Sequence, residues 1–410
     1  MLARMTPRTL ICPLSLLLST AACGTDSDMT TQSGTSGASA TSGGGGESGE
    51  SGESGAATQV TQTGGVSQGV TDDTGEPGPT TGAGPTTDPT SDTTAADTTG
   101  AGTTGVGDTS TGEPDDTTGG AVDVYDPDQD GPWQIAEVKG TWKVDGVNVP
   151  MDAFYPTAGP EAGPYPVVVI AHGFQLPASQ YTKYAQRLAT HGYVALTADF
   201  QAGLFNPDHV AYAKQVLGGI DWAAQEPKLA GVADTNNVGL TGHSLGGKLS
   251  VLGAVMDGRV RASITLDPVD SATMCDKVKC PDVSDMLPID VPLGFVGETL
   301  DSMGGFMPCA PAADNFLTYY KKATAPALAV TVKGANHMSF IDDVASCGFT
   351  CNLCQMPTLD NAVVNALGRA YVVAFYGRWL KDEAGYETYL TGAAAQDRYV
   401  ESGLADIATK

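Results

Sequence analysis

Residues 238–247 read Val238-Gly239-Leu240-Thr241-Gly242-His243-Ser244-Leu245-Gly246-Gly247. A buried-looking apolar run enters the serine, and a helix-like stretch over 245–256 leaves it. This is a nucleophile elbow, a sharp strand-to-helix turn that holds a hydroxyl up at the mouth of a parallel sheet. Gly242 and Gly246 suit a strained turn whose flanking backbones pass close together. Ser244 is therefore the candidate nucleophile, and the chemistry it implies is acyl transfer, most simply ester hydrolysis.

Outward from the elbow, strand and helix patterns alternate. Residues 141–155 alternate and turn at Asp145-Gly146, an antiparallel edge hairpin. Residues 165–171 are continuously apolar, as in a strand buried on both faces. A helix over 179–191, a strand over 193–198 and a helix over 209–225 closed by Pro227 lead to the elbow strand, 237–241. After the elbow helix come strands at 261–266 and 292–296, a helix at 312–322, a strand at 327–333 and a long final helix at 361–380. The order predicts an α/β class domain: an α/β-hydrolase fold, with a mostly parallel central sheet and helices on both faces.

A serine hydroxyl needs a base to take its proton and return it to the leaving group. The chain has five histidines. His337, in Gly334-Ala335-Asn336-His337-Met338, follows the last strand, where the base falls in this fold's chain order. His243 adjoins the nucleophile, but its side chain should point away from it and hydrogen-bond beneath the elbow. The acid should lie between Ser244 and His337, just past a strand. Asp267, in Asp267-Pro268-Val269-Asp270, and Asp301, in Gly297-Glu298-Thr299-Leu300-Asp301-Ser302, both qualify, with Glu298 a distant third. An oxyanion hole would use the backbone N–H of Leu245 and that of Phe174, in the loop His172-Gly173-Phe174-Gln175. The Phe174 ring either roofs the cleft or simply packs.

The rest of the chain divides in two. Residues 1–22 have a signal-peptide pattern: Arg4 and Arg8, an apolar stretch from Leu10 to Leu18, then Ser19-Thr20-Ala21-Ala22. Cys23 follows these small residues, as in a bacterial lipoprotein cleavage box, and would carry the lipid; cleavage with free secretion is the alternative. Residues 23–122 are Gly, Ser, Thr, Asp and Pro in loose repetition, with no lysine or arginine between Arg8 and Lys139. Such a stretch cannot bury enough apolar area to offset its ordering entropy, and its unopposed acids extend it as a tether. Residues 123–410 are the hydrolase-like domain. The net charge of −26, with no basic stripe, argues against a nucleic-acid partner. Membrane contact is expected through the N-terminal lipid only, which places the protein in the bacterial cell envelope, at the outer membrane. Nothing in the sequence calls for a cofactor, and the oligomeric state is open.

Beyond Cys12 and Cys23 the cysteines are Cys275, Cys280, Cys309, Cys347, Cys351 and Cys354. An even number in an exported domain predicts disulfides. Cys275–Cys280 would staple the loop after the Asp267 strand, and Cys309 would reach the 347–354 cluster. Zinc or an iron–sulfur cluster at Cys347-x3-Cys351-x2-Cys354 is the competing reading.

Over residues 140–380 the domain resembles the chlorophyllase family of α/β-hydrolases, and it is also similar to platelet-activating-factor acetylhydrolases and bacterial polyester hydrolases. The resemblance rests on Tyr165-Pro166-Val167-Val168-Val169 with His172-Gly173-Phe174, on Ala189-Thr190-His191-Gly192-Tyr193-Val194, and on the elbow. It continues through Asp267-Pro268-Val269-Asp270, Pro308-Cys309-Ala310-Pro311 and Asn336-His337-Met338-Ser339-Phe340. Leu245 departs from the arginine usual inside the chlorophyllase elbow. Chlorophyllase-like and acetylhydrolase-like enzymes take the acid from the strand directly after the elbow helix, which implies Asp267. Polyester hydrolases take it one strand later, which implies Asp301. Asp267 is the preferred residue and Asp301 the alternative. The expected function is an exported serine esterase acting on lipid, aryl or polyester-type esters through an acyl-enzyme. The rival readings are an inactive hydrolase-fold binding module on a stalk, and an amidase or peptidase.

Overall fold

The computed structural model describes residues 124–410 apart from 204, 272–274 and 304–307; the expected leader, Cys23 and the tether lie outside the described residues. The hairpin is longer than its sequence pattern. Strand β1 (Gln134–Val144) pairs antiparallel with β2 (Val147–Ala158) across Asp145-Gly146. Both turn residues have positive φ, 47° and 89°, which an Asp-Gly pair tolerates. The strands that follow are β3 (Tyr165–Ala171), β4 (Val194–Ala198), β5 (Ala233–His243), β6 (Val260–Leu266), β7 (Leu293–Glu298), β8 (Ala327–Val332) and β9 (Ala405–Thr409). They form one sheet in the order β1-β2-β4-β3-β5-β6-β7-β8-β9. The run from β4 to β8 is parallel, and β1, β2 and β9 are antiparallel additions at the edges.

Continuous apolar runs make sense once both faces are covered. On β3, Val168 and Ile170 pack on one face and Val167, Val169 and Ala171 on the other. The first face carries α1 (Thr182–Thr190) and α5 (Asn361–Leu380); the second carries α2 (His209–Gln225), α3 (Leu245–Met256) and α4 (Phe316–Lys322). This is the α/β-hydrolase arrangement. It aligns the C-terminal ends of β3, β5 and β6 on one edge, with Ala171 beside Gly242 and His243 beside Leu266.

Several boundaries differ from the sequence pattern for local reasons. The helix expected over 179–191 opens as a single 3-10 turn, Ala178–Tyr181, before α1 begins at Thr182. The helix expected from 312 starts at Phe316, because Asn315 caps it by accepting from the Leu317 amide, while 311–314 form a turn closed by Asp314 N–H to Pro311 O. Strand β9 has no counterpart among the expected elements; its few, weakly alternating residues are held by pairing with β8.

One buried ion pair anchors the elbow helix. Lys248 is fully buried, and its Nζ donates to the Asp270 carbonyl at 2.7 Å and lies 3.1 Å from Asp270 Oδ1. The same carboxylate accepts from the Val283 and Ser284 amides, so it ties the loop after β6 to α3. Breaking such a pair leaves a buried charge uncompensated. Lys248→Met is therefore expected to lower the unfolding free energy by about 3 kcal/mol. Urea denaturation reads this, and a loss below about 1 kcal/mol would mean that the two amides suffice to hold Asp270.

Candidate active site

Ser244 sits between β5 and α3 at φ 56°, ψ −120°, a conformation that L residues rarely adopt. The turn closes this tightly only without neighbouring side chains. A Cβ at Gly246 would lie 2.1 Å from the Ala171 carbonyl oxygen, and one at Gly242 would lie 2.5 Å from Gly246. The strain is held by the Ser244 amide, which donates to Leu266 O at 3.0 Å on the next strand.

The Ser244 hydroxyl lies 2.8 Å from His337 Nε2, and His337 Nδ1 lies 2.6 Å from Asp267 Oδ2. With the ring proton on Nδ1, that nitrogen donates to the carboxylate and Nε2 is left to accept from the serine. Asp267 follows β6 with φ 43° and is fully buried. Burial pushes its carboxyl above the ordinary range, and the His337 ring opposes this. Asp301 is near but engages the loop, not the ring: Oδ2 accepts from the His337 amide at 2.8 Å and Oδ1 from the Gln355 amide at 2.8 Å. The two carboxylates that the sequence leaves open thus have different partners on the same histidine.

His243 points under the elbow and is fully buried. Its Nε2 faces the His337 carbonyl at 2.8 Å and must donate to it, so Nδ1 accepts from the Tyr181 hydroxyl at 2.8 Å. Tyr181 OH in turn accepts from the Gly173 amide at 3.1 Å. A single chain of hydrogen bonds therefore links the loop after β3 to the backbone of His337. Burial holds the His243 ring well below its ordinary value, which suits a neutral spacer. Tyr181 escaped the sequence reading because its ring occupies an apolar helical position; a phenol on a buried face was the available signal, since buried tyrosine hydroxyls usually find partners. The other histidines have local roles. His172 stacks on Phe200 with ring centroids 3.8 Å apart, His191 faces the Gln129 carbonyl, and His209 opens α2.

Leu245 is the first residue of α3, so its amide has no intrahelical acceptor. Among the described residues, neither the Leu245 nor the Phe174 amide donates to a protein acceptor. Both therefore remain free to receive a developing negative charge. The serine opens into a cavity of about 520 Å³ lined by Phe174, Leu176, Pro308, Met338 and Leu353, with the Cys309–Cys354 bridge in its wall. Disulfides also join Cys275 to Cys280 and Cys347 to Cys351, so all six cysteines of the domain are paired.

Residues 129–394 match the family model described as chlorophyllase. The chain belongs to the chlorophyllase family. Among curated relatives of that match, Chlorophyllase-2 of Arabidopsis thaliana is 27% identical over 207 residues, covering 45% of this chain and 63% of that protein. Chlorophyllase-1 of the same plant is 30% identical over 199 residues, covering 44% and 61%. Bis(hydroxyethyl) terephthalate hydrolase of Streptomyces coelicolor is 27% identical over 237 residues, covering 58% and 64%. The chain thus spans less than two thirds of the length of each of these three relatives. The chlorophyllase match encloses the elbow, Asp267, Asp301 and His337.

Proposed function

We propose that the domain is a serine esterase working through an acyl-enzyme. The observation that carries this reading is the unbroken chain Ser244 Oγ–His337–Asp267 opening into an apolar-lined cavity. His337 Nε2 takes the proton as Ser244 Oγ attacks the ester carbonyl, and the Leu245 and Phe174 amides receive the oxyanion. The imidazolium then gives that proton to the departing alcohol, and the ionised Asp267 stabilises it meanwhile. Water, deprotonated by the same nitrogen, releases the acid and restores the serine.

The relatives' names support a hydrolase, and the terephthalate hydrolase supports esters of aromatic acids among the substrates. Apolar acyl or aryl groups also suit the cavity, whose wall includes Phe174, Leu176, Met338 and Leu353. Export with lipidation at Cys23 and residence in the bacterial envelope complete the proposal. Three disulfides favour an oxidising compartment in support of it.

The test pairs a fluorophosphonate label with a p-nitrophenyl ester series from acetate to palmitate. The expected result is one phosphonyl adduct, mapped to Ser244 by mass spectrometry, with turnover greatest for the short and medium chains that about 520 Å³ accommodates. An adduct without ester turnover would move the reading to an amide substrate. No adduct and no turnover would make the domain a binding module.

A further inference from the structure

Asp267 has two oxygens and His337 uses only one; Oδ1 is buried without a hydrogen bond of normal geometry, although the nearby Glu298 amide favours the ionised carboxyl. Glu298, at the end of the adjacent strand β7, has the matching defect. It is 2% exposed; Oε2 accepts from the Leu300 amide and, at 2.8 Å, from the Asp301 amide, while Oε1 is buried without a partner. The strands bring these residues together, because Leu266 pairs with Val296 and the Asp267 amide donates to Val296 O at 2.6 Å.

Bare buried carboxylate oxygens are costly, and two such carboxylates at the ends of paired strands cost more. One proton shared between the two unpartnered oxygens satisfies both. It belongs on Glu298, since Asp267 must stay ionised to face the Nδ1 proton of His337. We infer that Glu298 is a positioning residue: its protonated Oε1 donates to Asp267 Oδ1 and fixes the carboxylate that orients His337.

The surroundings agree. The charges that face Glu298 are Asp267 from the end of β6 and Asp301 from its own turn, with His337 beyond Asp267 on the loop after β8. Among the described residues no lysine or arginine forms an ion pair with any of the three carboxyl groups. Burial first, then the Asp267 charge, push the Glu298 carboxyl up to about 8. A free glutamate ionises near about 4.3. Glu298 therefore keeps its proton through neutrality and releases it as the pH passes about 8. The donor is then lost, and a second negative charge faces Asp267.

This inference rests on the esterase reading for its kinetic effect, but the proton has its own readout. Glu298→Gln preserves the pattern, because the amide oxygen accepts from Leu300 and Asp301 while the amide nitrogen donates to Asp267. Glu298→Gln is expected to keep kcat within about threefold, and Glu298→Ala to lower it about 10-fold to 100-fold, the worth of one hydrogen bond to a charged group. The wild-type rate is expected to fall above about pH 8, and that limb to disappear in Glu298→Gln. Infrared spectroscopy at about pH 6 should show a protonated-carboxyl stretch that fades as the pH passes about 8 and is absent from Glu298→Gln. Equal losses in both variants, or an alkaline limb that survives in Glu298→Gln, would overturn the positioning role. Absence of the infrared band would overturn the proton assignment whatever the turnover. A band of the expected titration in a protein that hydrolyses no ester would support the assignment and sink the esterase reading instead.

Discussion

Ser244→Ala is expected to lower kcat on a p-nitrophenyl ester by about a million-fold, the scale on which loss of a serine nucleophile acts in hydrolases of this kind. KM should stay within a few-fold. The hydroxyl is one atom at the mouth of a cavity whose apolar walls would hold the substrate on the proposed reading, and these walls are untouched. The fold should survive as well. Ser244 is only partly buried, so water can occupy the Oγ position and hydrogen-bond to His337 Nε2. The strained turn depends on Gly242, Gly246 and the Ser244 amide, none of which changes. What persists should be the modest acceleration that the free Leu245 and Phe174 amides and substrate binding provide. Steady-state kinetics with circular dichroism on both proteins decides the matter. A variant with unchanged spectrum and more than about a thousandth of the parent rate would rule out Ser244 as the attacking group.

Much of this site was legible in the sequence because its parts are local. The elbow needs glycines two residues to either side of the serine, and steric exclusion writes that spacing directly into 242–246. The parallel sheet was legible because strands covered on both faces become apolar runs, as at Tyr165–Ala171. The residue pattern alone did not choose the acid, and only the family resemblance favoured Asp267. Asp267 and Asp301 each follow a strand, and only the registers of β6 and β7 and the course of the loop to His337 set one carboxylate against the ring and the other against the backbone. The bridge Gly173–Tyr181–His243–His337 was hidden for the same reason, since it joins three segments distant in sequence, around 173–181, 243 and 337. Edge strand β9 buries only Ala405 and so carries no apolar run; it owes its conformation to β8.

The carboxylates that sequence leaves open are expected to separate sharply on substitution. Asp267→Asn should lower kcat by about ten-thousand-fold, whereas Asp301→Asn should lower it by about tenfold. Asp267 Oδ2 lies 2.6 Å from His337 Nδ1 in a fully buried position, so in the proposed mechanism it sets the tautomer and faces the imidazolium that forms when the serine gives up its proton. A neutral amide removes that charge. If its nitrogen turns toward the ring, it forces the proton onto Nε2, where the serine must be accepted. Asp301 does neither, because its oxygens accept from the His337 and Gln355 amides. An asparagine has one acceptor oxygen for those two donors, so the loop loses a hydrogen bond and some stability, and His337 shifts without changing its protonation. The contrast should therefore appear in different quantities. Asp267→Asn should lose most of its rate with little change in thermal midpoint, while Asp301→Asn should lose thermal midpoint with only about a tenfold loss of rate. If Asp301→Asn proves the slower enzyme, the ring must be oriented by Asp301 during turnover, and the hydrogen bond between His337 and Asp267 would be a resting arrangement only.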